Sequence, residues 1–117
     1  MAADVSSILR DLNKQDGVSA AIVASRDGFV IDSATSDRVD VEGLGALIAM
    51  AIGGSETLGA EFELGSLDQY MVEFQHGKVL ISTVGDNILG IVTDASAVIG
   101  SIRYTVKKQI PALERAL

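Results

Sequence analysis

Apolar residues recur along this chain with two different periods, and the switches between them outline eight elements. Val5, Ile8, Leu9 and Leu12 return at helical spacing among Asp4, Ser6, Ser7, Arg10, Asp11 and Lys14, which predicts a short amphipathic helix closed by Asp16-Gly17. Residues 18–25 (VSAAIVAS) and 29–34 (FVIDSA) read as strands joined at Arg26-Asp27-Gly28, a hairpin signal. Asp37 or Asp40 then caps a long helix running to about Phe62. Gly65 punctuates, and residues 67–75 (LDQYMVEFQ) alternate as a strand. His76-Gly77 turns it into 78–84 (KVLISTV), and Gly85-Asp86-Asn87 turns that into 88–93 (ILGIVT). Asp94 or Ser96 opens a last helix with Val98, Ile99, Ile102, Val106 and Ile110 as its inner stripe. Pro111 is expected to end or kink it, because proline lacks the donor a helix interior needs.

The order is helix, two strands, helix, three strands, helix, and the tight turns within each strand group predict an antiparallel sheet. The strands 18–25, 78–84 and 88–93 are apolar on both faces, so helices are expected on both sides. A three-layer α/β/α sandwich of the α+β class follows. The long helix lies alone on one face and the terminal helices lie on the other. The 117 residues read as one domain, without internal repeat or linker.

The long helix is the most informative segment. Its residues 43–55 (GLGALIAMAIGGS) hold no charged side chain. At steps of 100°, Val41, Leu44, Leu47, Ile48, Ala51, Ile52, Leu58 and Phe62 form a greasy stripe wide enough to cover a sheet. The opposite side carries Ala46, Ala49, Met50, Gly53, Thr57 and Ala60, mostly small residues where a solvated helix would place Lys and Glu. A helix apolar all round is a buried helix, and small residues let a second backbone come close. The natural second cover in so small a domain is another copy of the chain.

Composition narrows the partners. Nearly half of the residues are apolar but only two are tyrosine and three phenylalanine, so the core must be aliphatic. Nine basic against sixteen acidic residues give a net charge of −7, which argues against nucleic acid and anionic lipid. No stretch reads as the ~20 apolar residues that span a bilayer. The N-terminus lacks the layout of a secretory signal, and no cysteine is present for a disulfide or a thiolate site. A cytoplasmic protein is expected.

Catalytic and cofactor signals are absent from the pattern. The Gly77-Lys78 pair has Val72 where a phosphate-cradling loop needs its first glycine. Gly53-Gly54 and Gly59 lie inside a helical pattern and read as packing residues. His76 is the single histidine and sits in a tight turn, too isolated for a metal set or a Ser-His pair. Asp27, Asp86 and Asp94 read as turn and cap residues. Arg26 and Arg38 lie beside loops from which they could reach a phosphate, but an ordinary surface role explains them. An enzyme, a metal or a cofactor is not expected.

Taken together, GVSAAIVASRDGFVIDSA, the long helix with its small residues, and QYMVEFQHGKVLIST followed by DNILGIVTDAS resemble the roadblock (dynein light chain) family over about residues 3–113. The resemblance implies strand order 2-1-5-4-3 and a two-fold dimer, with long helices side by side and third strands paired edge to edge. The helix contact of that dimer maps onto Ala46, Ala49, Met50, Gly53 and Thr57, and the strand contact onto Tyr70, Val72 and Phe74. The resemblance also implies a non-catalytic scaffold or regulator of a Ras-like small GTPase, of the free-standing prokaryotic type without motor-binding or lipid-anchoring additions. Arg38, Glu42 and Glu56 are the charged groups nearest the surface where such a GTPase would dock. A small-molecule sensor module is the alternative expectation, since related sandwiches can enclose ligands.

Overall fold

The computed structural model describes residues 4–36 and 38–117. The elements are α1 (Val5–Asn13), β1 (Val18–Ser25), β2 (Val30–Thr35), α2 (Val41–Glu61), β3 (Gln69–Phe74), β4 (Gly77–Val84), β5 (Asn87–Asp94) and α3 (Ile99–Ala116). The five strands form one antiparallel sheet in the order β2-β1-β5-β4-β3. Element order, sheet order and layer assignment agree with the sequence reading, and strand bounds move by a residue or two.

The doubly apolar strands occupy the middle of the sheet because only there are both faces covered. On one face Ile8, Leu9 and Leu12 of α1 and Ile102, Val106 and Leu113 of α3 meet Ala21, Val23, Leu80, Val84, Leu89 and Ile91. On the other face Ile48 and Ile52 of α2 meet Ile22, Ile81 and Ile88. The alternation of Ala21, Ile22 and Val23 between the two clusters is the period-two side-chain geometry of a strand. The α2 core is the smaller of the two.

Three expectations about helix ends need revision or placement. Asp37 lies outside the described residues, and Asp40 is the cap of α2, its carboxylate accepting from the Gly43 N–H at 3.1 Å. α3 starts later than expected, with Val98 at its N-cap and no side-chain cap. Asp94 accepts instead from the Ser96 N–H at 2.8 Å, so it shapes the turn after β5. The Ser96 hydroxyl and then its N–H hold the Asp94 carboxyl below the ordinary value. Pro111 does not end α3, which runs on to Ala116. Leu113, fully buried against the sheet, rewards continuation beyond the proline. Pro111 itself is exposed, so the helical bond it forfeits lies at the wet surface.

Candidate functional site

α2 lies over β1 and β2 and turns one flank to the sheet. Gly45 makes that approach close. A Cβ there would stand 2.8 Å from Val30 Cγ2 and 3.0 Å from the Gly28 carbonyl oxygen. Gly28 in turn sits at φ +90°, which the hairpin turn requires and which glycine adopts without strain. A Cβ on Gly28 would lie 3.1 Å from the Ala46 Cα and 3.6 Å from the Ala49 Cβ. Part of the small-residue set therefore serves packing within the chain. Gly53 and Gly54 are different: a Cβ at either meets nothing within 4 Å.

The greasy stripe drawn from the helical wheel is wider than the surface that covers it. Ile48 and Ile52 are buried, and Val41, Leu44 and Ala51 pack beside them. Leu47, Leu58 and Phe62 were expected against the sheet, yet they are 64%, 58% and 68% exposed. The sheet shields only the arc centred on Ile48 and Ile52, and Phe62 falls just beyond the helix end. These three join Met50, 73% exposed, and the exposed Ala46, Gly53 and Thr57 on one outward face, with Ala49 half-buried at its border. The outer side of α2 is thus greasier than the sequence reading proposed. Only 17% of its most apolar stretch is buried, and the helix is long and apolar enough to cross a membrane by length and composition. That corrects the expectation that no such stretch exists. Its seat on the sheet through Ile48 and Ile52 and its charged ends at Glu42, Glu56 and Glu61 mark it as a cover helix with one open side.

β3 is the sheet edge on the far side and pairs with β4 alone among the described residues, with Tyr70, Val72 and Phe74 opposite Ile81, Val79 and Gly77. All three lie on the α2 face of the sheet, as their spacing predicts. Tyr70 reaches the core below α2, Val72 is half-buried and Phe74 is exposed. The exposed α2 face and the free β3 edge therefore share one side of the molecule. They are separated by a cleft of about 430 Å³ between Leu58–Gly59 and Leu64–Tyr70.

The charged candidates do not converge. Arg38 and Glu42 lie at the N-terminal end of α2, both exposed, with Glu42 in the first turn where the helix dipole favours an anion. Glu56 lies fourteen residues further on, about 21 Å along the axis. It is engaged by Arg26, the one ion pair among the described residues, with both side chains partly exposed. Sequence reasoning missed this pair because thirty positions separate its members. It ties the β1–β2 hairpin to α2, and an exposed pair of this kind contributes about 0–1 kcal/mol. Arg26 is accordingly not a free group awaiting a phosphate. His76 is exposed in the β3–β4 turn, and among the described residues no three metal-ligating side chains gather.

Comparison with known proteins agrees with this architecture. The family model of the Roadblock/LC7 domain matches residues 5–93, and the chain belongs to that family. The uncharacterised protein MJ0310 of Methanocaldococcus jannaschii is 39% identical over 104 residues, covering 89% of this chain and 91% of its own. A Roadblock/LC7 domain from Streptomyces avermitilis superposes with a TM-score of 0.85 at 19% identity, covering 94% of both chains. The gliding protein MglB from Thermus thermophilus superposes at 0.86 and 18% identity, covering 94% of this chain and 85% of its own. At such identities the two structures speak for the fold.

Proposed function

We propose that this Roadblock module is a non-catalytic homodimer that binds a Ras-like small GTPase and biases its nucleotide cycle. The observation that carries the reading is the outer face of α2, where Leu47, Met50 and Leu58 stand exposed beside Gly53 and Gly54, two glycines that nothing within the chain requires. A glycine inside a helix costs roughly 1 kcal/mol against alanine, so a pair of them is retained against local preference. Close approach of a second backbone supplies the reason. A two-fold axis beside α2 would pair the two faces and bring two β3 edges together, hydrogen-bonding groups that otherwise invite aggregation.

Similarity to MglB and the family's link to small GTPases support the partner class. The module acts by binding one switch conformation more tightly than another, and the ratio of affinities sets the shift. Arg38 and Glu42 rim the docking surface, and Glu56 contributes through its pair with Arg26. No group of this chain takes part in bond breaking, no cofactor is needed, and the setting is the cytoplasm. The test mixes the purified protein with the Ras-like small GTPases of its source cell. Complex formation and hydrolysis are followed in the GDP, GTP and transition-state-mimic forms. A nucleotide-dependent complex is expected, and absence of binding in all three forms would remove the reading.

A further inference from the structure

An open sheet has two edges, β2 and β3 in this molecule, and a protein that pairs at both does not stop at two copies. Two-fold contacts at one edge and then the other alternate along a line and generate an open filament. The two edges of this sheet are built differently. At β3 the ladder is regular, and its register with β4 holds without a shift from Gln69 opposite Ser82 to Phe74 opposite Gly77. The Thr83 N–H donates to the Asp68 carbonyl at 3.4 Å, so residue 68 turns toward β4. Alternate residues of an antiparallel strand turn the same way, which leaves the N–H and C=O groups of Gln69, Met71 and Glu73 pointing out of the sheet. Outward groups in unbroken step are what a further strand needs.

At β2 the corresponding row is broken twice. Ala24 pairs with Val30 and Val23 with Asp32, so Ile31 is an extra residue, a bulge. On one side of it the Phe29 carbonyl accepts from the Ser25 N–H at 2.8 Å, and on the other the Ser36 N–H donates to the Ser19 carbonyl at 2.9 Å. Counting back from Ser36 in twos turns Ala34 and Asp32 toward β1, an odd step from Phe29, so the outward row loses its spacing at Ile31. Beyond the bulge only Ser33 and Thr35 face outward in step. The second break is chemical. The Ser33 N–H donates at 2.8 Å to the carboxylate of Asp32 beside it, so that outward donor is already taken. Asp32 stands opposite Val23 of the α1 and α3 core, is half-buried there, and has no ion-pair partner among the described residues. A strand added at this edge would shut an unpaired charge away from water. In return it would find the Thr35 N–H alone of that regular pair.

Bulges and charges placed on the covered face are means by which sheet proteins keep an edge from pairing. We propose that β2 is a closed edge. The Ile31 bulge and the Asp32 carboxylate bar strand addition there, so a second copy extends the sheet only at β3 and growth ends after one pairing. The block on β2 stands by itself, and only the pairing at β3 rests on the homodimer reading above.

The experiment opens the edge and counts copies. Deleting Ile31 brings Val30 and Asp32 into one regular ladder, and Asp32→Val removes the charge and frees the Ser33 N–H. The full chain carrying both changes should assemble through one interface more than the wild type, as sedimentation across a range of concentrations reads. From a dimeric wild type the product is open chains, and from a monomeric one it is a dimer, so the closed edge and the homodimer reading are tested apart. Hydrogen exchange places the new contact: the Thr35 amide should exchange at least about tenfold more slowly in the assembled variant than in the wild type. Asp32→Val alone keeps the bulge and should give the same contact at a higher concentration. If the deletion prevents folding, this single variant decides by the same criteria. A variant that unfolds cooperatively yet sediments as the wild type does would overturn the inference. So would a wild type already protected at Thr35, or a new assembly whose protection lies away from β2.

Discussion

Replacing Gly53 with arginine is expected to strengthen the isolated fold and destroy self-association, two effects of opposite sign from one change. Within the chain there is room, because a Cβ at Gly53 meets nothing within 4 Å. Arginine is a good helix former, so the monomer should gain up to about 0.8–1 kcal/mol. The proposed two-fold dimer has less to spare. Leu47, Met50, Leu58 and Phe62 are each about two-thirds exposed, and covering them is worth roughly 1–2 kcal/mol apiece. Eight such side chains in a two-fold pair amount to roughly 8–16 kcal/mol, against an association cost of about 4–15 kcal/mol. A guanidinium left unpaired at the seam costs about 3–5 kcal/mol, and two-fold symmetry supplies two. The dissociation constant should therefore rise by at least about a hundredfold, at 1.4 kcal/mol per decade. Sedimentation across a wide concentration range reads the association. Urea unfolding at a concentration where both proteins are monomeric reads the fold, because stability of an associating chain depends on concentration. A G53R protein that sediments as the wild type does, or a wild type that is monomeric throughout, would refute the argument.

Three further outcomes follow from helix ends and interiors. Asp40→Ala removes the side-chain cap of α2 and should lower stability by about 1 kcal/mol in urea unfolding, with Asp40→Asn close to wild type. Pro111→Ala restores an N–H in the exposed interior of α3 and should raise stability by about 1–3 kcal/mol, seen as a higher melting temperature; a lower one would show that the proline shapes the helix end. Asp4 accepts the Ser7 N–H at 2.7 Å, and that bond, with the Ser7 hydroxyl adding, holds its carboxyl below the ordinary 3.8. The folded value is depressed, so the cap's contribution is complete above pH 3.8 and fades as pH falls through the lower folded value. The stability gap between wild type and Asp4→Ala should accordingly be flat near neutrality and narrow as pH falls below 3.8.

The fold was legible because each element announces itself locally. The period-two strands, the Asp27-Gly28 and His76-Gly77 turns and the doubly apolar β1, β4 and β5 determine element order and layers between them. The limits of that reading are non-local. A helical wheel ranks residues by angle but knows nothing of the width of the support below, so it placed Leu47, Leu58 and Phe62 inward when the sheet covers only the arc around Ile48 and Ile52. It also merged two kinds of small residue. Gly45, Ala46 and Ala49 adjoin the Gly28 turn, while Gly53 and Gly54 face open space, and only the folded arrangement separates them. The Arg26–Glu56 pair joins residues thirty positions apart, and the Ser82 hydroxyl is buried without a partner among the described residues. Neither leaves a mark in periodicity or composition.

The distribution of charge along α2 bears on how one small surface could serve two partners. Residues 43–55 are free of charge, and ionisable groups begin only at Glu42 on one side and Glu56 on the other. Burying a charge without a partner costs several kcal/mol, whereas burying the neutral middle costs nothing electrostatic. Lasting self-association therefore suits the middle of the helix. A partner that must come and go suits the ends, where Arg38 and Glu42 stay hydrated and Glu56 is already neutralised by Arg26. Under this division, substituting the Arg38 and Glu42 end should slow GTPase association and flatten its salt dependence while leaving the sedimentation of the free protein unchanged. Substituting Met50 or Gly53 should do the reverse. If instead every substitution that weakens GTPase binding also dissociates the dimer, the two contacts are one surface, and the neutral middle serves both.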